Sequence, residues 1–285
     1  VATVSGAPDV PAVLDAATAP DALGAPRRVP APPADLVARL RAAGCVFAED
    51  EAALLVAEAP DPDALEAMTA RRVAGEPLEQ VVGWAEFRGL RVAVAPGVFV
   101  PRARTGVLVG LALAGLPASA RVVDLCCGTG AVGLAVLHAR PDVRLWAADI
   151  DPAAVACARR NLGTRATVLL GDLDAPLPPE LRGQVDVLVA NAPYVPTAEI
   201  AHMPPEAREH EPRTALDGGA DGVDLHRRVA AAAPRWLAPG GRLLIETSPG
   251  QAPATVAACT AAGLVAEVVR DEDVEGTAVV ARRPA

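Results

Sequence analysis

The chain contains no lysine: all 26 of its basic side chains are arginine, set against 35 acidic ones. The resulting net charge of −9 argues against a protein that wraps a phosphate backbone, since such binding draws on many basic contacts. The choice of arginine goes with an abundance of alanine, valine and proline and reads as the mark of a GC-rich genome, not of a mechanism. Cysteine is sparse and unpatterned, at positions 45, 126, 127, 157 and 259. None of these forms a C-x-x-C pair or has a histidine at metal-ligand spacing, so they read as small buried hydrophobes in a reducing compartment. His138, His202, His210 and His226 are equally isolated, and no metal is expected. No apolar run approaches the roughly 20 residues that span a bilayer. The first 33 residues also lack the basic-then-apolar order of a secretory signal. The expectation is a soluble, cytoplasmic protein without a membrane partner.

What is present is a chain of 285 residues, 52% hydrophobic, long enough for one large domain and a small one. Residues 1–33 are rich in Ala and Pro and read as flexible; part of them can lie upstream of the start of translation. From 34 to 77 apolar residues recur at helical spacing (Leu36, Val37, Leu40, then Leu54, Leu55, Leu65, Met68), with breaks at Gly44, Pro60 and Gly75. This predicts a small helical domain of two or three helices. Residues 78–100 read as a β-hairpin linker with turns at Arg88-Gly89 and Pro96-Gly97. From 101 to 285 strands and helices alternate: strands at 122–125, 143–148, 166–170, 185–190 and 242–247, with helices between them. Two closing strands, 264–270 and 277–281, read as an antiparallel hairpin at one edge. The fold class is α/β, a mostly parallel sheet covered on both faces.

After the first strand of this series, Gly128-Thr129-Gly130-Ala131-Val132-Gly133 matches G-x-G-x-x-G, and Asp149 follows Gly128 by about 20 residues, where an acid meets ribose hydroxyls. The match alone does not choose between a nicotinamide dinucleotide and S-adenosyl-L-methionine. Asp124 ends the first strand, where it can face the amino group of a methionine moiety. Asp172 follows the third, where it can accept from an adenine NH2. Acids at three successive strand ends suit a cationic sulfonium carrying an ammonium group and suit a pyrophosphate poorly. S-adenosyl-L-methionine is therefore the expected cofactor, held by Asp124, Cys126, Gly128, Gly130, Asp149, Ile150, Asp172 and Asn191.

A second motif, Asn191-Ala192-Pro193-Tyr194, ends the apolar strand at 185–190. An amide nitrogen is a poor nucleophile because its lone pair is delocalised. A site that methylates it must hold the NH2 in line with the donor methyl, about 3 Å away, and accept hydrogen bonds from its protons. The Asn191 side-chain oxygen can take one proton and the Ala192 carbonyl the other, while Tyr194 offers a flat wall. Asn191, Ala192, Pro193 and Tyr194 are the catalytic candidates. Asn191, Pro193, Tyr194, Arg102 and Thr105 are the candidates for substrate binding.

With these residues in view, the chain resembles the protein-(glutamine-N5) methyltransferases, which modify peptide-chain release factors and a ribosomal protein. The resemblance is carried by Arg72 to Pro77, Phe87-Arg88-Gly89-Leu90, Val100-Pro101-Arg102 with Thr105, Asp124 to Gly130, Asp149, Asn191 to Tyr194, Glu211-Pro212-Arg213 with Ala215-Leu216, and Gly218 to Gly222. It implies a Rossmann-like methyltransferase fold with a seven-stranded sheet, a helical N-terminal domain that helps dock the substrate, and a protein partner carrying the target glutamine. The chain departs from the family pattern at three places. Ala192 stands where the loop usually has its first proline, Cys126 replaces a glycine that tolerates this only with negative φ, and Gly106 replaces an acid. The helical domain also looks short for the family. The departures point to a divergent branch. The alternative reading is an adenine-N6 methyltransferase acting on DNA or RNA, whose planar exocyclic amine suits a similar loop. The negative charge makes nucleic acid an unfavoured direct substrate. A nicotinamide-dependent oxidoreductase and a silent binding module are further alternatives, the former lacking a Tyr-Lys pair because the chain has one tyrosine and no lysine.

Overall fold

A strand of Val, Leu and Ala that is apolar on both sides can be stable only with helices over both faces. The structure, a computed structural model, describes residues 31–285 and the backbone of Ala2–Thr3. The reading of residues 1–33 as flexible falls almost wholly outside the described residues. In chain order the strands are β1 (Ala2–Thr3), β2 (Trp84–Phe87), β3 (Leu90–Ala93), β4 (Arg121–Leu125), β5 (Arg144–Asp149), β6 (Ala166–Leu170), β7 (Val185–Ala190), β8 (Leu237–Glu246), β9 (Val265–Asp271) and β10 (Gly276–Arg282). The helices are α1 (Ala34–Ala42), α2 (Ala48–Glu58), α3 (Pro62–Val73), α4 (Leu78–Val82), α5 (Gly106–Leu113), α6 (Ala131–Ala139), α7 (Pro152–Leu162), α8 (Pro205–His210), α9 (Asp224–Trp236) and α10 (Ala252–Ala261).

Seven strands form the main sheet in the order β9-β10-β8-β7-β4-β5-β6, and the short β1 adds a parallel pairing beyond β9. The run from β8 to β6 is parallel, and β10 lies antiparallel between β8 and β9. The strand order reverses direction at β4, so its neighbours β5 and β7 send their following loops apart and leave a crevice at the carboxyl ends. Along β4 successive side chains feed opposite cores. Val122 packs with α5, α6 and α7, whereas Val123 and Leu125 pack with α9 and α10. Within α6, Gly133 allows close approach to β5: a Cβ there would lie 2.7 Å from Leu145 Cδ2.

The N-terminal helices form their own core around Leu36, Leu40, Ala52, Leu55 and Val81. Asp61 caps α3 through Ala64 N–H at 2.7 Å, with Pro62 following at the first helical position. A buried ion pair, Arg72 to Glu51 at 2.6 Å, ties α3 to α2. Gln80 reaches the Val98 carbonyl at 3.2 Å and so joins α4 to the segment leading into the sheet domain.

Sequence and structure differ in places. Residues 78–82, taken as part of the hairpin, form α4, capped by Gly83 at φ +83°. The hairpin itself is β2–β3, turning at Arg88 and Gly89, both at positive φ, as a two-residue turn between twisted strands requires. Strand β8 starts five residues earlier than the apolar pattern predicts. Pro239-Gly240-Gly241 obscures that pattern, and the register with β7 shifts there.

Candidate active site

The loops at the carboxyl ends of β4, β5, β6 and β7 surround one cleft of about 320 Å³. Of the residues singled out from the sequence, Arg102, Thr105, Asp124, Cys126, Gly128, Asp149, Ile150, Asp172, Asn191, Ala192, Pro193 and Tyr194 line it. Gly130 stands behind the wall, where φ +77° starts α6, and a Cβ there would press on Leu162 and Ala158. Among the described residues no cluster of His, Cys, Asp and Glu could hold a metal ion, and no helix is long and apolar enough to cross a membrane.

At one end of the cleft are the acids. Asp124 is 2% exposed and accepts one hydrogen bond, from Gly133 N–H at 3.1 Å. Burial pushes its carboxyl up to about 7 against that N–H, with the nearby charge of Asp149 adding to the rise. Asp149 is also raised by burial, and its two oxygens accept from Gly128 N–H at 2.8 Å and Asp151 N–H at 3.0 Å. The carboxylate thus fixes the glycine turn and retains lone pairs for a ligand. Asp172 is bound to Arg228 at 2.7 Å. That arginine, which as half of an Arg227-Arg228 pair reads as solvated surface, lines the cleft. Ile150 is half exposed at the rim.

Cys126 overturns one expectation. Its φ is +54°, in the left-handed region that costs a side chain with Cβ about 1–2 kcal/mol. The glycine usual here is thus replaced without the backbone changing to suit the replacement. Burial and the surrounding acids push the Cys126 thiol far up, so it is no nucleophile.

At the other end is the loop after β7. Asn191 donates from Nδ2 to Thr105 Oγ1 at 3.2 Å, which leaves its Oδ1 unspent. Ala192 and Pro193 are buried, and the Tyr194 hydroxyl donates to Glu246 Oε1 at 3.2 Å. Burial, then the Glu246 charge, raises the Tyr194 phenol to about 12, so it remains protonated. Behind the loop His226 is fully buried, with Nδ1 against Thr255 Oγ1 at 2.9 Å, and burial lowers its pKa to about 4. Arg102 binds Glu211 Oε1 at 2.7 Å and lies over the Phe99 ring, 5.2 Å from its centroid.

The stretch Gly218 to Gly222 forms the floor beneath this loop. Val195 N–H donates to Leu216 O and Gly218 N–H to Val195 O, each at 2.9 Å, while Gln251 Nε2 holds the Tyr194 carbonyl at 2.7 Å. A Cβ on Gly218 would lie 2.6 Å from Gly222 O and 2.7 Å from both Pro193 O and Tyr194 Cα. All three are backbone atoms and cannot swing aside. Gly218→Ala is therefore expected to destabilise the protein by about 1–3 kcal/mol and to lower activity by shifting the loop. Denaturant unfolding beside an activity assay checks it, and parental stability would contradict the packing argument.

Glu246, Arg228 and Gln251 belong to this constellation but carry no motif. The available signal for Glu246 was its place at the end of an apolar strand, matching Asp124 and Asp149.

Comparison with known proteins then decides the family. The methyltransferase small domain family (MTS) matches residues 90–204. A release factor glutamine methyltransferase of Mycolicibacterium smegmatis is 42% identical over 233 residues, 80% of this chain and 82% of its own. One from Cereibacter sphaeroides is 37% identical over 273 residues, 87% of this chain and 96% of its own. The chain belongs to the release factor glutamine methyltransferase family. At the level of fold alone, a methyltransferase from Pyrococcus furiosus is similar, with a TM-score of 0.53 at 14% identity over 70% of this chain and 91% of that one. The cleft of this family member brings Asp124, Asp149 and Asp172 together with Asn191.

Proposed function

We infer that the chain transfers a methyl group from S-adenosyl-L-methionine to the side-chain nitrogen N5 of a glutamine in a protein, and that this protein is a peptide-chain release factor. One observation carries the reading. Asn191 donates its NH2 to Thr105 Oγ1, and it lines the same cleft as Ala192, Tyr194 and the acids Asp124 and Asp149. Two acceptors and no basic nucleophile are what an amide NH2 requires.

The acidic end fits the donor. Asp124 is a buried acid with a single backbone partner, an arrangement that an ammonium group would stabilise in its ionised form. Asp149 would take the ribose hydroxyls, Asp172 the adenine NH2, and Cys126, Gly128, Gly130 and Ile150 would wall the nucleoside. Bound there, the donor supplies an electrophilic methyl on a positively charged sulfur. Asn191 Oδ1 and the Ala192 carbonyl accept the two amide protons, aim the nitrogen and raise its electron density. Pro193 and the Tyr194 ring keep the carboxamide flat. With the donor held there, the nitrogen lone pair would take the methyl while the C–S electron pair leaves with sulfur, and the proton lost from nitrogen would pass to water. Arg102 and Thr105 border the acceptor end. In this reading residues 34–77 dock the protein substrate, 78–100 link, and 101–285 carry the chemistry.

The test is incubation with labelled donor and an extract from a deletion strain, followed by separation of protein and nucleic acid. Label is expected on one glutamine of a release factor, located by peptide fragmentation. Label in the nucleic-acid fraction alone would overturn the reading.

A further inference from the structure

Two buried polar groups lie beside the acceptor loop. Glu246, at the end of β8, is 1% exposed, and its Oε1 takes the Tyr194 hydroxyl at 3.2 Å and Arg104 Nε at 3.4 Å. Its Oε2 is buried and among the described residues has no hydrogen-bond partner of good geometry. Thr105, itself 4% exposed, accepts from Asn191 Nδ2. A buried carboxylate oxygen without a donor is costly, and so is a buried hydroxyl without an acceptor. Of the described residues, the acceptor to which the Thr105 hydroxyl proton can turn is Glu246, whose pKa burial raises and a hydrogen bond from Thr105 lowers.

We propose that Glu246 is a positioning residue which, through the Thr105 hydroxyl, fixes the end of the Asn191 amide that faces the substrate. A carboxylate can only accept, so the Thr105 proton must point toward Glu246. The Thr105 oxygen is then available only as an acceptor on its other side, and Asn191 must turn its NH2 to it. The Asn191 oxygen is thereby committed to the cleft. The same carboxylate holds Tyr194 and Arg104, both of which line the cleft, so a single buried acid orders three of its walls. Glu246 itself does not line the cleft and acts only through these partners.

Glu246→Gln reverses this logic while keeping the shape. Tyr194 and Arg104 are donors and would hold the new amide oxygen at the Oε1 place, leaving NH2 at the Oε2 place. Thr105 then accepts from that NH2, and its freed proton turns to the Asn191 oxygen. The Asn191 amide flips and presents NH2 to the NH2 of the substrate, which is repulsive.

The proposal rests on the reading that Asn191 faces the accepting amide, and the experiment separates the two. The purified full chain is assayed with a release factor as methyl acceptor, measuring kcat, donor Kd and thermal unfolding. Glu246→Gln and Thr105→Val are each expected to lower kcat about 100-fold, with donor Kd and unfolding temperature near the parent's. The double variant should be no slower than the slower single one, because both break the same relay. A parental kcat for either single variant, or losses that multiply in the double, would overturn the proposal. Should Glu246→Gln fail to fold, Thr105→Val decides alone by the same kcat criterion. A fully active Asn191→Ala would sink the underlying reading, whereas an inactive Asn191→Ala beside a fully active Glu246→Gln sinks only the relay.

Discussion

Asn191→Ala is expected to lower kcat by about 10²–10³-fold, the usual loss when one preorganised polar group at a reacting centre is removed. Donor affinity should stay within a few-fold of the parent's. No neighbour can take over the lost function. In the proposed site the Ala192 carbonyl would take the second proton, and Tyr194 is turned toward Glu246 by its own hydroxyl. Substitution also strands the Thr105 hydroxyl, whose partner at 3.2 Å disappears. Because the interaction acts on the nitrogen as it becomes nucleophilic, kcat and kcat/KM should fall together. Single-turnover rates with labelled donor, beside equilibrium donor binding, check the split. A parental rate would show that Asn191 does not touch the reacting amide.

Asp149→Ala should show the opposite pattern. Its carboxylate already accepts from Gly128 and Asp151 N–H, so it holds the glycine turn and the start of α7 in place. The remaining lone pairs face the cleft. A charge-assisted hydrogen bond contributes about 1.5–3 kcal/mol, and each 1.4 kcal/mol is a factor of ten. Losing one such bond to ribose while disordering the turn should weaken donor binding by about 100-fold. At saturating donor, kcat should remain within several-fold of the parent's. Calorimetric titration of donor into both proteins measures the difference. Unchanged affinity would place the ribose elsewhere.

Legibility from the sequence followed a physical divide. Strands β4 to β7 could be read because each is a short apolar run ended by a polar residue or glycine, and burial on both faces demands such runs. Helix α7 carries a local start signal in Asp151 and Pro152, and the Asp151 side chain accepts from Ala153 N–H at 2.8 Å. Helix α4 was missed because five residues between Pro77 and Gly83 carry no periodicity to distinguish helix from strand. Of the segment from 197 to 216, only Glu211-Pro212-Arg213 with Ala215-Leu216 was legible, as a family motif. The short α8 meets Arg72 through Glu206 and Gln80 through the His210 carbonyl, contacts that no local pattern encodes.

The same divide runs through the site. Asp124, Asp149 and Asn191 could be found because position at a strand end already implies a place in the crevice. Glu246 offered the same strand-end signal, but its role was not legible because its partners Tyr194 and Arg104 are distant in sequence and meet it only in the fold. Arg228 is exposed, as its place in an Arg-Arg pair suggests, but only the fold shows that it meets Asp172 at the cleft. At Cys126 the residue type pointed to negative φ, but the turn that Asp149 anchors holds the backbone left-handed.

A crystal structure with S-adenosyl-L-methionine and a glutamine peptide of a release factor tests the central claim most directly. The account predicts the glutamine N5 about 3–3.5 Å from the donor methyl, with its two protons on Asn191 Oδ1 and the Ala192 carbonyl. A glutamine bound elsewhere, or residues 191–194 turned away from the sulfur, would contradict it.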